Sequence, residues 1–461
     1  MPTTRKDGGN WILEERILKV MIKLGTPIAI GEALNILYTI ADIYWLGRLG
    51  REALASVSAS WPIVWMIVSL AVGIFAAGIA IISQYWGMKE KNKAMEACGQ
   101  VLLLSIIAGT PLALTGYFLT GPFLVILGVP EDTLPFATMY ARLIALGIPF
   151  MAIYESFAAI YNATGNTITP IKMRTTGVFL NIILDPILIF GYFGLPQLGV
   201  GGAAIATVLS QATVSALCLT YLKLKGLNGL SFSLKYLKPR PELIKKMGKI
   251  GYPISALTFG EASGFVVLIH VISMLGSAPL AAWGVADRLL GLFHVFVAGL
   301  LGATSTMIGQ NLGAGLTKRA REIAKKTALY GTTIMLVGIL AIIPFRYQVS
   351  AFFAPQDEEL IKQAGDFLLI MGPSVIFFTL YLASGAVAHG SGHTKPVMAF
   401  GLLRLWVLRN ILAYLFGPGP IGWGVVGLWI GMAISNYITG SLALWWILFG
   451  RWDKPVVEKE K

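Results

Sequence analysis

The hydrophobic pattern of the chain consists of twelve long apolar stretches that are separated by short polar loops. Each stretch reaches the about 20 residues that a helix needs to cross the hydrocarbon core of a bilayer. The pattern therefore predicts an all-α membrane protein with twelve transmembrane helices. The predicted spans are 18–46, 54–84, 97–120, 134–160, 171–193, 199–223, 247–275, 280–311, 324–347, 363–390, 397–417 and 423–450.

The distribution of charge gives the predicted orientation of these spans. Of the 461 residues, 13% are charged, whereas soluble domains carry about 25%. Basic residues concentrate in the loops that follow even-numbered spans, for example at 89–93, at 172–174 and at 223–249. Because Lys and Arg mark cytoplasmic loops, both termini are predicted to lie on the cytoplasmic side of the cell membrane. The net charge of +13 is then a topology signal, and no nucleic-acid partner is expected.

The two halves of the chain repeat one another at an offset close to 226 residues. Residues 25–27 (GTP) recur as 251–253 (GYP), and Gln84 recurs as Gln310 within similar surroundings. Each half has six spans, an even number, so both halves have the same orientation in the membrane. We expect an N-terminal lobe at 1–225, a cytoplasmic linker at 226–245 and a C-terminal lobe at 246–461. Two lobes related by an axis along the membrane normal, with a cavity between them, are typical of alternating-access transporters.

Polar residues of the first span lie on one helical face. Pro27, Gly31, Asn35, Tyr38 and Asp42 are separated by 4, 4, 3 and 4 residues, which is helical spacing. A carboxylate at membrane depth costs roughly 3 kcal/mol unless it faces protein or water. This face is therefore predicted to line a polar cavity in which Asp42 binds a coupling cation. Pro27 is able to bend the helix near its start.

Two further spans carry oxygen-bearing residues one helical turn apart. These are Asn181 and Asp185 in span 5, and Thr207 and Gln211 in span 6. Two carboxylates, an amide and a hydroxyl suit a hard cation such as Na⁺, with Asp42 and Asp185 as its charged ligands. Two neighbouring carboxylates in a desolvated site would equally share one proton. Both coupling ions remain open at this point, and no other cofactor is expected.

Glutamates within the spans allow two interpretations each. Glu32 could lie on the cavity face or at the mouth of the cavity. Glu155 could line the cavity or form a local hydrogen bond, and Glu261 could anchor a cationic substrate or form a structural bond between helices. We expect the substrate cavity to include Pro27, Asn35, Tyr38, Glu155, Gln211 and Glu261.

Several motifs resemble those of the multidrug and toxic compound extrusion (MATE) transporters. They are Pro27 followed by LYTIAD at 37–42, MYAR at 139–142, LN at 180–181 with DP at 185–186, and the segment 202–207. The resemblance covers almost the whole chain and favours the prokaryotic branch with carboxylates in the N-terminal lobe. Asn35, Glu155 and Glu261 depart from the pattern of that branch, and Glu261 is similar to the C-lobe carboxylate of a sister branch.

The resemblance implies efflux of organic cations and amphipathic toxins, driven by inward Na⁺ or H⁺. It implies a cation site formed by Asp42, Asn181, Asp185 and Thr207, and a first helix that bends at Pro27. It also implies that Tyr38 and Tyr140 lie near the cavity. Small molecules and membrane lipids are the expected partners of a monomeric transporter.

Two other functions are compatible with parts of the sequence. A lipid or lipid-linked oligosaccharide flippase would line its cavity with basic residues, and Arg142, Arg288, Arg404 and Arg409 are candidates. The acidic residues of the first half favour cationic cargo instead. An intramembrane aspartyl protease also needs two aspartates, but neither Asp42 nor Asp185 follows Gly-x-Gly, and the repeat has no role in proteolysis. We therefore do not expect an enzyme.

Overall fold

The computed structural model describes residues 11–126, 128–353 and 355–459. Within them it contains twelve helices that are long and apolar enough to cross a membrane, which confirms the predicted all-α fold and the predicted spans. The expectation that both termini are cytoplasmic falls partly on residues 1–10 and 460–461, which lie outside the described residues. The membrane helices are α1 (Ile17–Gly47), α2 (Arg51–Gly87), α3 (Lys91–Ile126), α4 (Leu134–Ala163), α5 (Ile168–Phe190), α6 (Gly199–Lys225), α7 (Pro241–Ser273), α8 (Ser277–Gly313), α9 (Thr317–Ile342), α10 (Glu358–Ser391), α11 (Lys395–Phe416) and α12 (Gly424–Phe449).

Short helical segments accompany this framework, including 3₁₀ turns at Tyr192–Gly194 and Leu234–Leu237. A helix at Trp11–Glu14 precedes α1. A 3₁₀ turn at Ile343–Phe345 and a helix at Arg346–Phe353 continue α9. Within α11, the residues Leu403–Arg409 form a π-helix between two α-helical pieces, Lys395–Leu402 and Asn410–Phe416.

The two halves meet at helix crossings that are related by the internal repeat. α1 packs against α8, and α2 packs against α7. Both crossings occur at glycines: a Cβ at Gly25 would lie 2.8 Å from the carbonyl oxygen of Gly299, and a Cβ at Gly251 would lie 2.6 Å from that of Gly73. Gly25 corresponds to Gly251, and Gly73 to Gly299, by the same 226-residue offset. Small residues at these positions allow the close backbone contact on which helix packing in a membrane depends.

Two glutamines join the lobes on the side of the molecule where α1 begins and α12 ends. The Gln84 amide on α2 donates to the carbonyl oxygens of Gly390 and Ser391 on α10, at 3.1 and 3.0 Å. Its repeat partner Gln310 on α8 donates to the Ala163 carbonyl at the end of α4, at 2.8 Å. Each lobe therefore caps a helix of the other lobe. We call this side the terminal face.

The segment after α12 also joins the lobes on the terminal face. Asp453 accepts a hydrogen bond from Arg321 of α9 at 2.8 Å, and the backbone N–H of Val456 donates to the Gln84 side chain at 2.8 Å. Trp452 and Val457 are buried. We call residues 451–459 the C-terminal strap.

The second half of α1 lies on the side of the molecule opposite the terminal face. Its exposed residues include the polar Asn35 and Thr39 as well as Ile36 and Ile40. The internal repeat predicts a cavity between the two lobes, and Asn35 and Thr39 are expected to border this cleft.

The connection between the lobes is shorter than the predicted linker, because α7 already begins at Pro241. The preceding segment is held on α3 by Gln100. The Gln100 amide donates to the carbonyls of Tyr236 and Lys238 at 2.9 Å each, and the Arg240 backbone N–H donates to its oxygen at 2.9 Å. The linker thus rests on the first lobe.

Candidate cation and cargo site

Three helices of the first lobe bring five polar side chains together. The Tyr38 hydroxyl on α1 lies 2.9 Å from the Thr207 hydroxyl on α6. The Asn181 amide on α5 donates to Asp185 at 3.2 Å and to the Thr207 hydroxyl at 3.5 Å. Asp42 lies close enough to Tyr38 and Asp185 for its charge to act on both. The four predicted cation-site residues therefore form one cluster.

Three oxygens of this cluster are buried without a hydrogen-bond partner in the described part of the chain. They are Oδ1 of Asp42, Oδ1 of Asn181 and Oδ2 of Asp185. Asp185 is 0% exposed and Asp42 is 7% exposed. Buried polar atoms are almost always paired, and unpaired charge is the more costly case. Oxygens from two carboxylates and one amide are ligands that a hard cation prefers, so the arrangement fits Na⁺, and the carboxylates alone fit a proton.

Local sequence explains how these side chains reach one another. α5 continues through Pro186, which keeps Asn181 and Asp185 one turn apart. Pro186 has no N–H, so the carbonyl of Ile182 lacks its usual helical donor. On α6, Gly202 packs against the backbone of Leu188 on α5, and a Cβ would not fit there. This contact brings Thr207 up to Asn181.

Of three further residues predicted to line the cavity, one belongs to the cluster and two lie outside it. Tyr140 is buried on α4 and interacts electrostatically with Asp42, Tyr38 and Asp185, so it belongs to the cluster. Gln211 lies one turn beyond Thr207 but faces Gly147 of α4. Asn35 is exposed on α1.

Glu155 is neutralised by an arginine that the sequence analysis placed in a basic loop. Arg174 lies inside α5 and forms ion pairs with Glu155 at 3.0 Å and Glu32 at 3.6 Å. It also contacts the Tyr154 ring, with 5.3 Å from the guanidinium carbon to the ring centroid. Arg174 therefore lies within a helix, whereas the charge pattern grouped it with the basic loops. Arg174 and Glu155 are 19 residues apart on different helices, and helical spacing gives no signal for such a pair.

Glu261 also has a partner that is distant in sequence. Its carboxylate accepts hydrogen bonds from Arg404 of α11 at 2.7 Å and from the Tyr381 hydroxyl of α10 at 3.1 Å. The sequence allowed Glu261 to be either a substrate anchor or a structural bond between helices. The observed contacts are bonds between helices. Each lobe therefore carries an ion pair between an arginine and a glutamate, and the repeat counterpart of Glu261 in the first lobe is the neutral Asn35.

A fold of twelve membrane helices with buried oxygens that lack hydrogen-bond partners among the described residues is typical of a membrane transporter. The MatE family model matches the chain twice, at residues 27–187 and 253–415. The chain therefore belongs to the MatE family, as its motifs predicted, and members of this family are transporters and not enzymes.

Relatives of known name cover most of the chain. A probable multidrug resistance protein of Bacillus subtilis, YoeA, is 26% identical over 84% of this chain and 84% of its own length. A FAD transporter of Shewanella oneidensis is 26% identical over 88% of this chain and 89% of its own length. A solved outward-facing structure of a multidrug resistance MATE transporter superposes with a TM-score of 0.88, at 24% identity, over 97% of this chain and 98% of its own length. The last comparison establishes the fold alone.

Proposed function

We propose that the protein exports amphipathic organic cations across the cell membrane in exchange for Na⁺ or H⁺. The observation that carries this proposal is the set of unpaired buried oxygens on Asp42, Asn181 and Asp185. Among the described residues no cationic side chain is bonded to these two carboxylates, so the site requires a mobile cation for neutrality.

Loading of the cation would couple to the position of α1. Asp42 is on α1 and Asp185 is on α5, and the two charges repel one another. A cation between them relieves the repulsion and holds α1 against α5, whereas its release favours separation, with Pro27 as the bending point. A ligand shifts such an equilibrium only by its difference in affinity for the two states, and the ionic repulsion provides that difference.

The cargo would enter the cleft between the lobes. Asp42 and Asp185 make the first lobe's side of this cleft attractive to cations. The similar protein YoeA is a probable multidrug resistance protein, which agrees with broad cargo selection. If the termini are cytoplasmic, as the basic loops predict, the terminal face is closed toward the cytoplasm and the cleft opens outward. We propose a monomeric transporter, because one chain holds both lobes and the complete cluster.

The test uses purified protein in proteoliposomes loaded with ethidium. Export is measured under an imposed Na⁺ gradient at constant pH and under an imposed pH gradient without Na⁺. We expect one gradient to accelerate export over protein-free vesicles. Equal export with and without either gradient would refute cation coupling.

A second candidate function is the transport of flavin nucleotides, and the observation that favours it is the name of the Shewanella oneidensis relative. The same proteoliposomes separate the candidates when ethidium is replaced by FAD. A flippase is tested there with a fluorescent lipid-linked sugar. Movement of that lipid without ethidium export would favour the flippase.

A further inference from the structure

The π-helix in α11 places two arginines next to each other. In an α-helix, residues five positions apart point roughly 140° away from one another. In a π-helix the hydrogen bonds join residues five apart, so Arg404 and Arg409 lie one turn apart at the two ends of Leu403–Arg409. Their positive charges repel one another. Single π-helical turns within α-helices occur frequently at functional sites.

Arg409 is buried without an acidic partner at ion-pair distance among the described residues. It is 6% exposed. Its Nε donates to the Ser435 hydroxyl at 3.1 Å, and its Nη2 donates to the Asn436 side-chain oxygen at 2.5 Å. Both partners are neutral. The charge of Asp287 on α8 acts on Arg409 from beyond ion-pair distance.

Arg404 is buried with unused donors. It is 2% exposed, its Nη2 donates to Glu261, and its Nε and Nη1 have no hydrogen-bond partner. Its guanidinium carbon lies 4.8 Å from the ring centroid of Phe378 and 5.0 Å from that of Tyr381. Of the two buried guanidinium groups, Arg404 alone is bonded to a carboxylate among the described residues.

We propose that Arg404 and Arg409 form a subsite in the second lobe for the phosphate or carboxylate group of an amphipathic cargo. A guanidinium group binds such anions through paired hydrogen bonds, and the unused donors of Arg404 meet this requirement. Glu261 acts as an internal anion, which the cargo displaces from Arg404. Phe378 and Tyr381 provide flat surfaces beside the subsite. The inference extends the proposed function, because it assumes that cargo reaches the cleft side of the second lobe, and it adds anionic and zwitterionic compounds to the cargo.

Direct binding tests this subsite without relying on transport. The probes are FMN and riboflavin, fluorescent compounds that differ by one phosphate, measured by fluorescence quenching on the full protein in phosphatidylcholine nanodiscs. Wild-type protein should bind FMN about tenfold more tightly than riboflavin, as one charge-assisted hydrogen-bonded contact provides. Arg409→Gln should reduce this preference to near one.

The Glu261→Gln variant should change binding in the opposite direction. It removes the competing carboxylate while it keeps the side-chain shape, so FMN affinity should rise while riboflavin affinity stays constant. A gain of binding cannot result from misfolding. Arg142→Gln is the control, since Arg142 is a membrane arginine of the first lobe that donates to the Tyr117 carbonyl.

Three results would overturn the inference: equal affinity of wild type for the two probes, an unchanged FMN preference in Arg404→Gln and Arg409→Gln, or weaker FMN binding by Glu261→Gln. The double variant Glu261→Gln with Arg404→Gln removes the ion pair as a whole and covers the case in which Arg404→Gln does not fold.

A lipid headgroup is tested by adding phosphatidylglycerol to the nanodiscs. Displacement of FMN would assign the subsite to a lipid headgroup, and retention of FMN would assign it to soluble cargo. Failure of ethidium export would leave these binding results unaffected, so the two proposals are tested separately.

Discussion

Asp42 and Asp185 are the residues on which the proposed coupling depends. Asp42→Asn and Asp185→Asn should each reduce gradient-driven ethidium export to the level of protein-free vesicles. The double variant should be no worse than either single one, because each change already removes the repulsion that the ion relieves. The measurement is export under the gradient that drives the wild type.

Folding must be monitored in the same preparations, by size-exclusion profile and thermal unfolding. If either variant retains the gradient dependence of the wild type, its aspartate is structural. Coupling would then have to depend on other carboxylates.

The substitutions Glu261→Gln and Asp42→Asn should differ in how they change the free energy of unfolding. Asp42→Asn removes an unpaired buried charge, so the free energy of unfolding should stay equal or rise. Glu261→Gln leaves Arg404 without its ion-pair partner and should lower that free energy by about 2 kcal/mol, less than for a fully buried pair because the Glu261 side chain is partly exposed. Coupled ethidium export should suffer less in Glu261→Gln than in Asp42→Asn.

Denaturant titration in one detergent, with export assays on the same variants, measures both effects. Complete loss of export in stable Glu261→Gln protein would show that coupling extends into the second lobe.

The sequence predicted the first-lobe cluster because its residues lie at helical spacing on apolar spans. Asn181 and Asp185 share one face of a helix whatever their surroundings. The pairs of Arg174 with Glu155 and of Arg404 with Glu261 could not be predicted in this way, because they join different helices over 19 and 143 residues. The π-helix was also not predicted, since LRLWVLR at 403–409 has no feature that separates it from an α-helix.

At the scale of elements, the glycine crossings control how closely the lobes approach. A Cβ at Gly299 would lie 2.5 Å from the Gly25 carbonyl oxygen and 2.8 Å from the Ala29 Cβ. Gly299→Ala should therefore push α8 from α1 at a cost of about 1–3 kcal/mol and open the terminal face. The distribution of distances between spin labels on the C-terminal ends of α2 and α8 should broaden toward longer values.

Gly291→Ala on the same helix is the matched control, because a Cβ there meets nothing within 4 Å. Gly25→Ala should reproduce the effect of Gly299→Ala, since it fills the same crossing from the other side. Identical label distances in Gly299→Ala and Gly291→Ala would contradict this assignment.

The C-terminal strap should depend on pH through Asp453. The Arg321 guanidinium, by its hydrogen bond, holds the pKa of this carboxyl below its usual range. The stabilisation is therefore complete above the unfolded value of about 3.9 and is lost as the pH falls through the lower folded pKa. Asp453→Asn should remove it at neutral pH, and hydrogen exchange of residues 451–459 should accelerate.

The comparison variant for the strap is Glu458→Gln, an exposed position on the same segment. Exchange that is equally fast in wild type and in Asp453→Asn would mean that Trp452 and Val457 hold the strap without the ion pair.

At the scale of the whole molecule, the sequence predicted the twelve spans, the repeat and the family, and all three are confirmed. Spans follow from local hydrophobicity, and the repeat is visible in the letters. The closed terminal face was not predicted, because Gln84 and Gln310 bond to helix ends of the opposite lobe, and Gln310 to Ala163 spans 147 residues.

The paired glycine crossings have a further consequence when they are considered as a surface. Position 25 meets 299, and their counterparts 251 and 73 meet in the same way, which is the self-complementary contact of a C₂ homodimer. Two identical six-helix chains with this surface would close onto each other, but every substitution would then appear in both halves. In a single chain the two lobes can instead carry different residues at equivalent positions. This chain places aspartates on α1 and α5 of one lobe and arginines on α11 of the other, a difference in charge between the lobes that a homodimer cannot have.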